Sequence, residues 1–204
     1  MILFDRYNID FKSFLKRGVP TVRNPFSVVM ITGYQGTGKS YYAIMLALSA
    51  KYKNFKIKTN IKSMGIEGRE ISYFTLLSEI YNDSEEYVLY IIDELSKKYH
   101  KHSPVDKPFY SFLQQSRKAK RVVIMINQSW TQTPTWLREV CKYVYTTNTI
   151  PFLPIHKTTI GDVKSMTFDT VIGDWVAPVV MTHYYKRNKC IASCYDTFEP
   201  IPML

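Results

Sequence analysis

The eight residues Gly33-Tyr34-Gln35-Gly36-Thr37-Gly38-Lys39-Ser40 constrain this chain more than any other part of it. They have the form Gly-x-x-x-x-Gly-Lys-Ser, preceded by a β-branched run at 26–32 and followed by a helix-forming stretch at 39–51. Gly33, Gly36 and Gly38 free the backbone to take positive φ and to approach an anion with no Cβ in the way. N–H groups from Gly33 through Tyr41 can then converge on phosphate, helped by the N-terminal end of the helix. Lys39 is placed to reach the β- and γ-phosphates, and the Ser40 hydroxyl to ligate Mg²⁺. A nucleoside triphosphate, ATP, with Mg²⁺ is the expected ligand.

A second feature supplies the chemistry. Tyr87-Val88-Leu89-Tyr90-Ile91-Ile92 is continuously apolar and ends in Asp93-Glu94. A buried strand of this kind carries its acids to the C-terminal edge of a parallel sheet, where α/β folds bind ligands. Asp93 is expected to hold Mg²⁺, and Glu94 to orient and deprotonate an attacking water. The plainer alternative is two acids capping a strand. A nucleotide kinase, which hands phosphate to a second substrate, does not need a water-activating glutamate there. The apolar run at 121–126 ends in Asn127-Gln128, which makes Gln128 (or Asn127) a sensor of hydrolysis or, more simply, a strand-terminal turn.

Between these features strands alternate with helices: strands at 26–32, 55–59, 87–92, 121–126 and 142–147, helices at 39–51, 72–81, 106–120 and 134–140. Ser72 is the expected N-cap of the second helix, and Pro108 lies in the first turn of the third. Such alternation implies βαβ units and a mostly parallel sheet. Residues 1–25 read as a lead-in segment, and 26–204 as a single domain. Its last part, 148–204, is a β-rich extension with β-like stretches at 176–185 and 191–195.

At 204 residues and 46% apolar content, the chain suits one full α/β domain. No apolar run approaches the ~20 residues needed to span a bilayer, and the N-terminus does not read as a signal peptide, so a cytoplasmic protein is expected. Three cysteines argue against a disulfide framework. Cys190, Cys194 and His183 lack a fourth ligand for structural zinc, which favours ordinary packing. The net charge of +10 is concentrated. Lys97, Lys98, Lys101, Lys107, Arg117, Lys118, Lys120 and Arg121 face the single acid Asp106 within 97–121, a balance suited to an anionic polymer.

The ordered set resembles the FtsK–HerA superfamily of P-loop ATPases. It comprises the phosphate loop, Lys58-Thr59-Asn60, Ile91-Ile92-Asp93-Glu94, Ser116-Arg117-Lys118, Val123 to Gln128, Leu137-Arg138 and Tyr143-Val144-Tyr145. Within it the likeness, over about residues 26–147, is to viral genome-packaging ATPases and to zonula occludens toxin-like ATPases of filamentous phage assembly. Tyr195-Asp196-Thr197 looks like a closing motif of some of these proteins. The resemblance implies a RecA-like (ASCE) P-loop NTPase fold, with a further strand between those carrying the phosphate loop and the acids; 121–126 fits that strand. It also implies a homo-oligomeric ring in which an arginine completes the neighbour's site. Arg117 and Arg138 are the candidates, Arg117 preferred, although Arg138 could pair with a local acid and Arg117 could contact DNA phosphate.

DNA, as a double-stranded viral genome, and capsid or capsid-vertex proteins are the implied partners, in the host cytoplasm or with the virion. The Lys97-Lys98-Tyr99-His100-Lys101-His102 run could push on DNA or be a solvated basic loop. The run Lys186-Arg187-Asn188-Lys189 reads as a charged hairpin turn. Toxin-like relatives generally carry a membrane-spanning segment after the ATPase domain. Its absence before Leu204 points to the packaging type.

Overall fold

The computed structural model describes residues 26–49, 54–150, 155–171 and 173–196. The lead-in segment 1–25 lies outside them. The centre of the fold is set by three five-residue strands, β1 (Val28–Thr32), β4 (Val88–Ile92) and β5 (Val122–Ile126), in which every residue is buried. Apolar on both faces, they can only be interior strands of a sheet covered on each side.

Eight strands form that sheet, in the order β10-β7-β6-β1-β5-β4-β2-β3. The remaining members are β2 (Lys56–Thr59), β3 (Ile71–Tyr73), β6 (Tyr143–Thr149), β7 (Ile155–Asp162) and β10 (Val179–Lys186). From β3 to β6 every pairing is parallel, and β7 and β10 add an antiparallel edge. The strand expected between the phosphate-loop strand and the acid-bearing strand is β5, which pairs with both. Register decides what meets at the edge. Ile31 lies opposite Ile126, and Met125 opposite Ile92, so β1, β5 and β4 end level.

Side chains alternate between two cores. Val29, Ile31, Leu89, Ile91, Val122, Ile124 and Ile126 face one cluster; Val28, Met30, Val88, Tyr90, Ile92, Val123 and Met125 face the other. The first is closed by α1 (Lys39–Ala47), buried at Tyr41, Tyr42, Ala43, Ile44, Met45 and Ala47, with help from Ile191 in α5 (Lys189–Ala192). The second packs under α2 (Ser78–Tyr81), α3 (Lys107–Gln115) and α4 (Thr135–Val140). A separate two-stranded ribbon pairs β8 (Thr167–Asp169) with β9 (Asp174–Val176).

Two local expectations are corrected. Ser72 does not start a helix: Ile71-Ser72-Tyr73 is the edge strand β3, in register with Ile57, Lys58 and Thr59. The helix start lies further on, where the Glu79 carboxylate accepts from the N–H groups of Thr75 and Leu76. Likewise the stretch at 191–195 is not a strand. Asn188 caps α5 by accepting from the Cys190 N–H at 2.8 Å, and Ile191 packs into the core as a helical residue. The third helix is also shorter than 106–120. Asp106 caps it, but Ser116 turns its hydroxyl back onto the Leu113 carbonyl at 2.7 Å and accepts the Arg121 N–H, which ends the helix.

Candidate active site

The loop between β1 and α1 is shaped by two glycines. A Cβ on Gly33, at φ 149°, would stand 2.5 Å from the Thr147 carbonyl oxygen and 2.6 Å from the Thr37 hydroxyl. Gly38, at φ 91°, caps α1 in the left-handed region, where a side chain is strained. Thr37 and Gly38 are buried, while the tip Tyr34-Gln35-Gly36 is exposed.

Side chains lock this curve from inside. Thr37 donates to the Tyr34 carbonyl at 2.7 Å, and the Thr147 hydroxyl has both the Thr37 oxygen, at 3.0 Å, and the Thr32 carbonyl, at 3.1 Å, as acceptors for its one proton. His156 Nδ1 lies 3.2 Å from the Thr37 carbonyl. Burial and then the charge of Arg187 push the His156 pKa down, which favours the neutral ring. Lys39 reaches across the loop and donates to the Tyr34 carbonyl at 3.0 Å. Desolvation lowers its pKa, and the charges of Asp93 and Glu94 oppose that, so both acids act electrostatically on this ammonium.

The level ends of β1 and β4 bring the loop and the acids together. Ser40 Oγ donates to Asp93 Oδ2 at 2.7 Å. Asp93 is 6% exposed; burial raises its pKa, opposed by the bonds from Ser40 and from the Glu94 N–H. Glu94 adopts φ 53°, uncommon for a residue with a side chain, and pairs with Lys97 at 2.5 Å. Such backbone outliers cluster at functional sites.

Asn60 holds Asp93 from behind, through a role the strand-terminal sequence Lys58-Thr59-Asn60 did not reveal. Its side-chain amide donates to the Asp93 carbonyl at 2.9 Å and accepts the Asp93 N–H at 2.8 Å. Asn60→Ala leaves both peptide groups buried without partners, each costing about 1–3 kcal/mol. The variant should melt roughly 4–24 °C below the parent chain in a thermal scan. Asn60→Asp, which keeps only the acceptor, should fall between. A midpoint within about 1 °C of the parent would remove Asn60 from this role.

The other candidates separate. Gln128 is exposed beside the loop, its carbonyl accepting the Gly33 N–H at 3.2 Å. Asn127 is buried and spends its amide on Thr133, leaving Gln128 as the member of the pair able to meet a ligand. Arg117 is exposed in the turn between α3 and β5, its carbonyl accepting the Lys120 N–H just before β5 begins. It therefore lies at the opposite edge of the sheet from the phosphate loop of its own chain. Arg138 is 4% exposed, with its guanidinium over the Trp130 ring, a placement that withholds it from a neighbouring subunit. Tyr41 offers the loop no side chain. Its ring is turned into the core, stacked on Tyr185 at 5.8 Å, so only its backbone remains for a phosphate. Arg187, read from the sequence as part of a charged hairpin turn, is exposed and also touches the phosphate loop.

Neither a protein-family model nor a curated protein sequence matches the chain. Solved structures do match in fold. The N-terminal domain of zonular occludens toxin from Neisseria meningitidis superposes with a TM-score of 0.60 at 14% identity, covering 84% of this chain and 99% of that domain. The genome packaging NTPase B204 from Sulfolobus turreted icosahedral virus 2 gives a TM-score of 0.53 in complex with ATP-gammaS, at 14% identity. Its AMPPCP complex gives 0.54 at 15% identity, and both matches cover 71% of this chain and 96% of the NTPase. The fold is that of the P-loop NTPases.

Within this P-loop fold the residues present suit Mg·ATP. Lys39 stands against the loop, whose Gly33 and Thr37 N–H groups are bonded within the protein, and Ser40 with Asp93 offers the hard oxygen donors that Mg²⁺ takes alongside substrate phosphates. Among the described residues no group of three or more His, Cys, Asp or Glu could hold a metal by itself. The open groove lined by Asn54, Lys56, Glu70, Glu85, Glu86 and Tyr87 sits where β2, β3 and β4 begin, away from this chemistry.

Proposed function

We propose that this chain hydrolyses ATP and uses the cycle to move DNA, packaging a viral genome into a preformed capsid. The observation that carries the reading is the 2.7 Å bond from Ser40 to Asp93, with Glu94 next in sequence and Lys39 within the field of both acids. Bound nucleotide would lie with its phosphates on the loop amides and on Lys39. Mg²⁺ held by Ser40 and Asp93 would neutralise charge on the phosphate oxygens. Glu94 would accept the proton of the attacking water, and Gln128 would sense the γ-phosphate. In a homo-oligomeric ring Arg117, exposed at the far edge, would be offered to a neighbour.

The DNA part rests on charge and on likeness of fold. Exposed Lys101, Lys107 and Lys118 can track a phosphate backbone without reading sequence. B204 is a genome packaging NTPase and shares the fold. A second reading, an ATPase driving filamentous phage assembly, is favoured by the near-complete overlap with the zonular occludens toxin domain. It differs in partner and not in chemistry. Among the described residues no helix is long and apolar enough to cross a membrane.

The test is ATP turnover with and without duplex DNA, alongside a mass measurement with nucleotide bound. Turnover should require Mg²⁺ and rise with DNA, and the mass should be that of a closed ring. Turnover raised by a metabolite and indifferent to DNA would instead mark a small-molecule phosphotransferase. Reversing Lys101 and Lys107 to glutamate should weaken DNA binding and flatten its salt dependence by about one to two units of slope, with basal turnover unchanged. An unaltered affinity at low salt would exclude these residues from the DNA path.

A further inference from the structure

The antiparallel edge of the sheet does more than extend it. β10 ends at Lys186, and the chain then turns back over the phosphate loop before entering α5. Arg187 Nη2 donates to the Gly36 carbonyl at 3.2 Å. A Cβ built on Gly38 would stand 3.5 Å from the same Nη2 and 3.5 Å from His156 Nδ1. The guanidinium thus rests against two glycines of the phosphate loop.

Its backbone is held on both sides. Tyr185 is buried and stacks on Tyr41 and on His156, at centroid distances of 5.8 and 5.4 Å. The Asn188 N–H donates to the Tyr41 hydroxyl at 2.8 Å, and the Asn188 side chain caps α5. Both anchors belong to the helix that begins at the phosphate loop or to the strand beside it. The head group, by contrast, is exposed, and among the described residues no carboxylate pairs with it. A cation on a rigid base, next to an anion site and bonded only to a neutral carbonyl, is arranged for an anionic partner. A guanidinium presents five donors in a planar fork that matches phosphate oxygens, and such charge-assisted bonds are about twice as strong as neutral ones.

We infer that Arg187 is a phosphate ligand acting in cis, bracketing the polyphosphate of a bound nucleotide together with Lys39. The inference rests on the ATP-binding reading above and adds a contact made within one chain. It is distinct from the arginine a neighbour would supply. It also gives the edge pair β7–β10 a task, since these strands carry Arg187 and His156 to the loop.

The experiment is equilibrium binding of ATP, ADP and AMP with Mg²⁺ to the full chain, without DNA, at a protein concentration where sedimentation shows monomer. Arg187→Ala should weaken ATP about 10- to 100-fold, ADP less and AMP within about twofold, because the lost contact is to phosphate. Arg187→Lys should recover part of the loss, and the melting midpoint without nucleotide should stay with the parent chain. If the alanine variant does not fold, the lysine variant and Arg187→Gln carry the same comparison. Equal weakening of all three nucleotides would assign Arg187 to loop shape alone and overturn the inference, as would undiminished ATP affinity. An effect seen only at concentrations where the chain associates would overturn the cis assignment. A parent chain that binds no ATP would sink the ATPase reading itself, a result told apart from the others by its appearance before any substitution.

Discussion

Glu94→Gln should abolish steady-state ATP turnover while leaving Mg·ATP bound as tightly as in the parent chain. The carboxamide keeps the size of the carboxylate but cannot take a proton from water. A positioned general base contributes about 10²–10⁴ in rate, and kcat should fall by that factor. Binding should change by less than about threefold, because Lys39, Ser40, Asp93 and the loop amides are untouched. The one bond lost is the ion pair to Lys97, which is partly exposed and contributes no more than about 1 kcal/mol to stability. Backbone strain is also conserved, since Gln tolerates φ 53° no better and no worse than Glu. Stopped-flow turnover and a binding isotherm on the same preparation separate the two effects. Turnover within threefold of the parent chain would return Glu94 to the plain role of a capping acid.

The readable parts of this fold and site are those in which chemistry sits within a few residues of its own signal. The phosphate loop announces itself because spacing, glycine and flanking strand and helix all lie in one stretch of chain. β4 was legible for a related reason: a strand buried on both faces is apolar at every position, so Asp93-Glu94 stands out at its end. Local signals failed where two structures share them. A serine before an apolar stretch serves a helix cap and an edge strand equally well, and at Ser72 pairing with Lys58 decided for the strand. Arg138 failed differently. It sits in the last turn of α4, facing inward onto Trp130, and sequence spacing alone does not say which face of a six-residue helix is covered.

The contacts hidden from the sequence are those between distant positions. Asn60 reaches Asp93 across 33 positions, a bond made only once β2 and β4 lie side by side. Arg187 reaches Gly36 across 151 positions, after β7 and β10 have folded back on β6. A basic run such as 186–189 gives no sign of this, because solvated turns have the same composition. What selects between them is topology, which the sequence expresses only through the register of long strands.

Lys39→Ala should lower ATP affinity by about 100-fold or more and bring turnover beneath detection, the second large effect expected at this site. The ammonium is the one charged group that the loop itself contributes, and it already stands between the exposed tip and the two acids. Without it, the triphosphate loses one of the cations that meet it beside Asp93 and Glu94, so binding loses an attraction while the repulsion of the acids is less fully offset. The fold has little at stake. Lys39 gives up only a bond to the Tyr34 carbonyl, at a tip open to water that can take its place. The melting midpoint should therefore stay within about 2 °C of the parent, unlike that of Asn60→Ala. The two substitutions should split stability from binding: one lowers the melt, the other the affinity. ATP bound by Lys39→Ala with the parent's affinity would mean that the triphosphate does not occupy this loop.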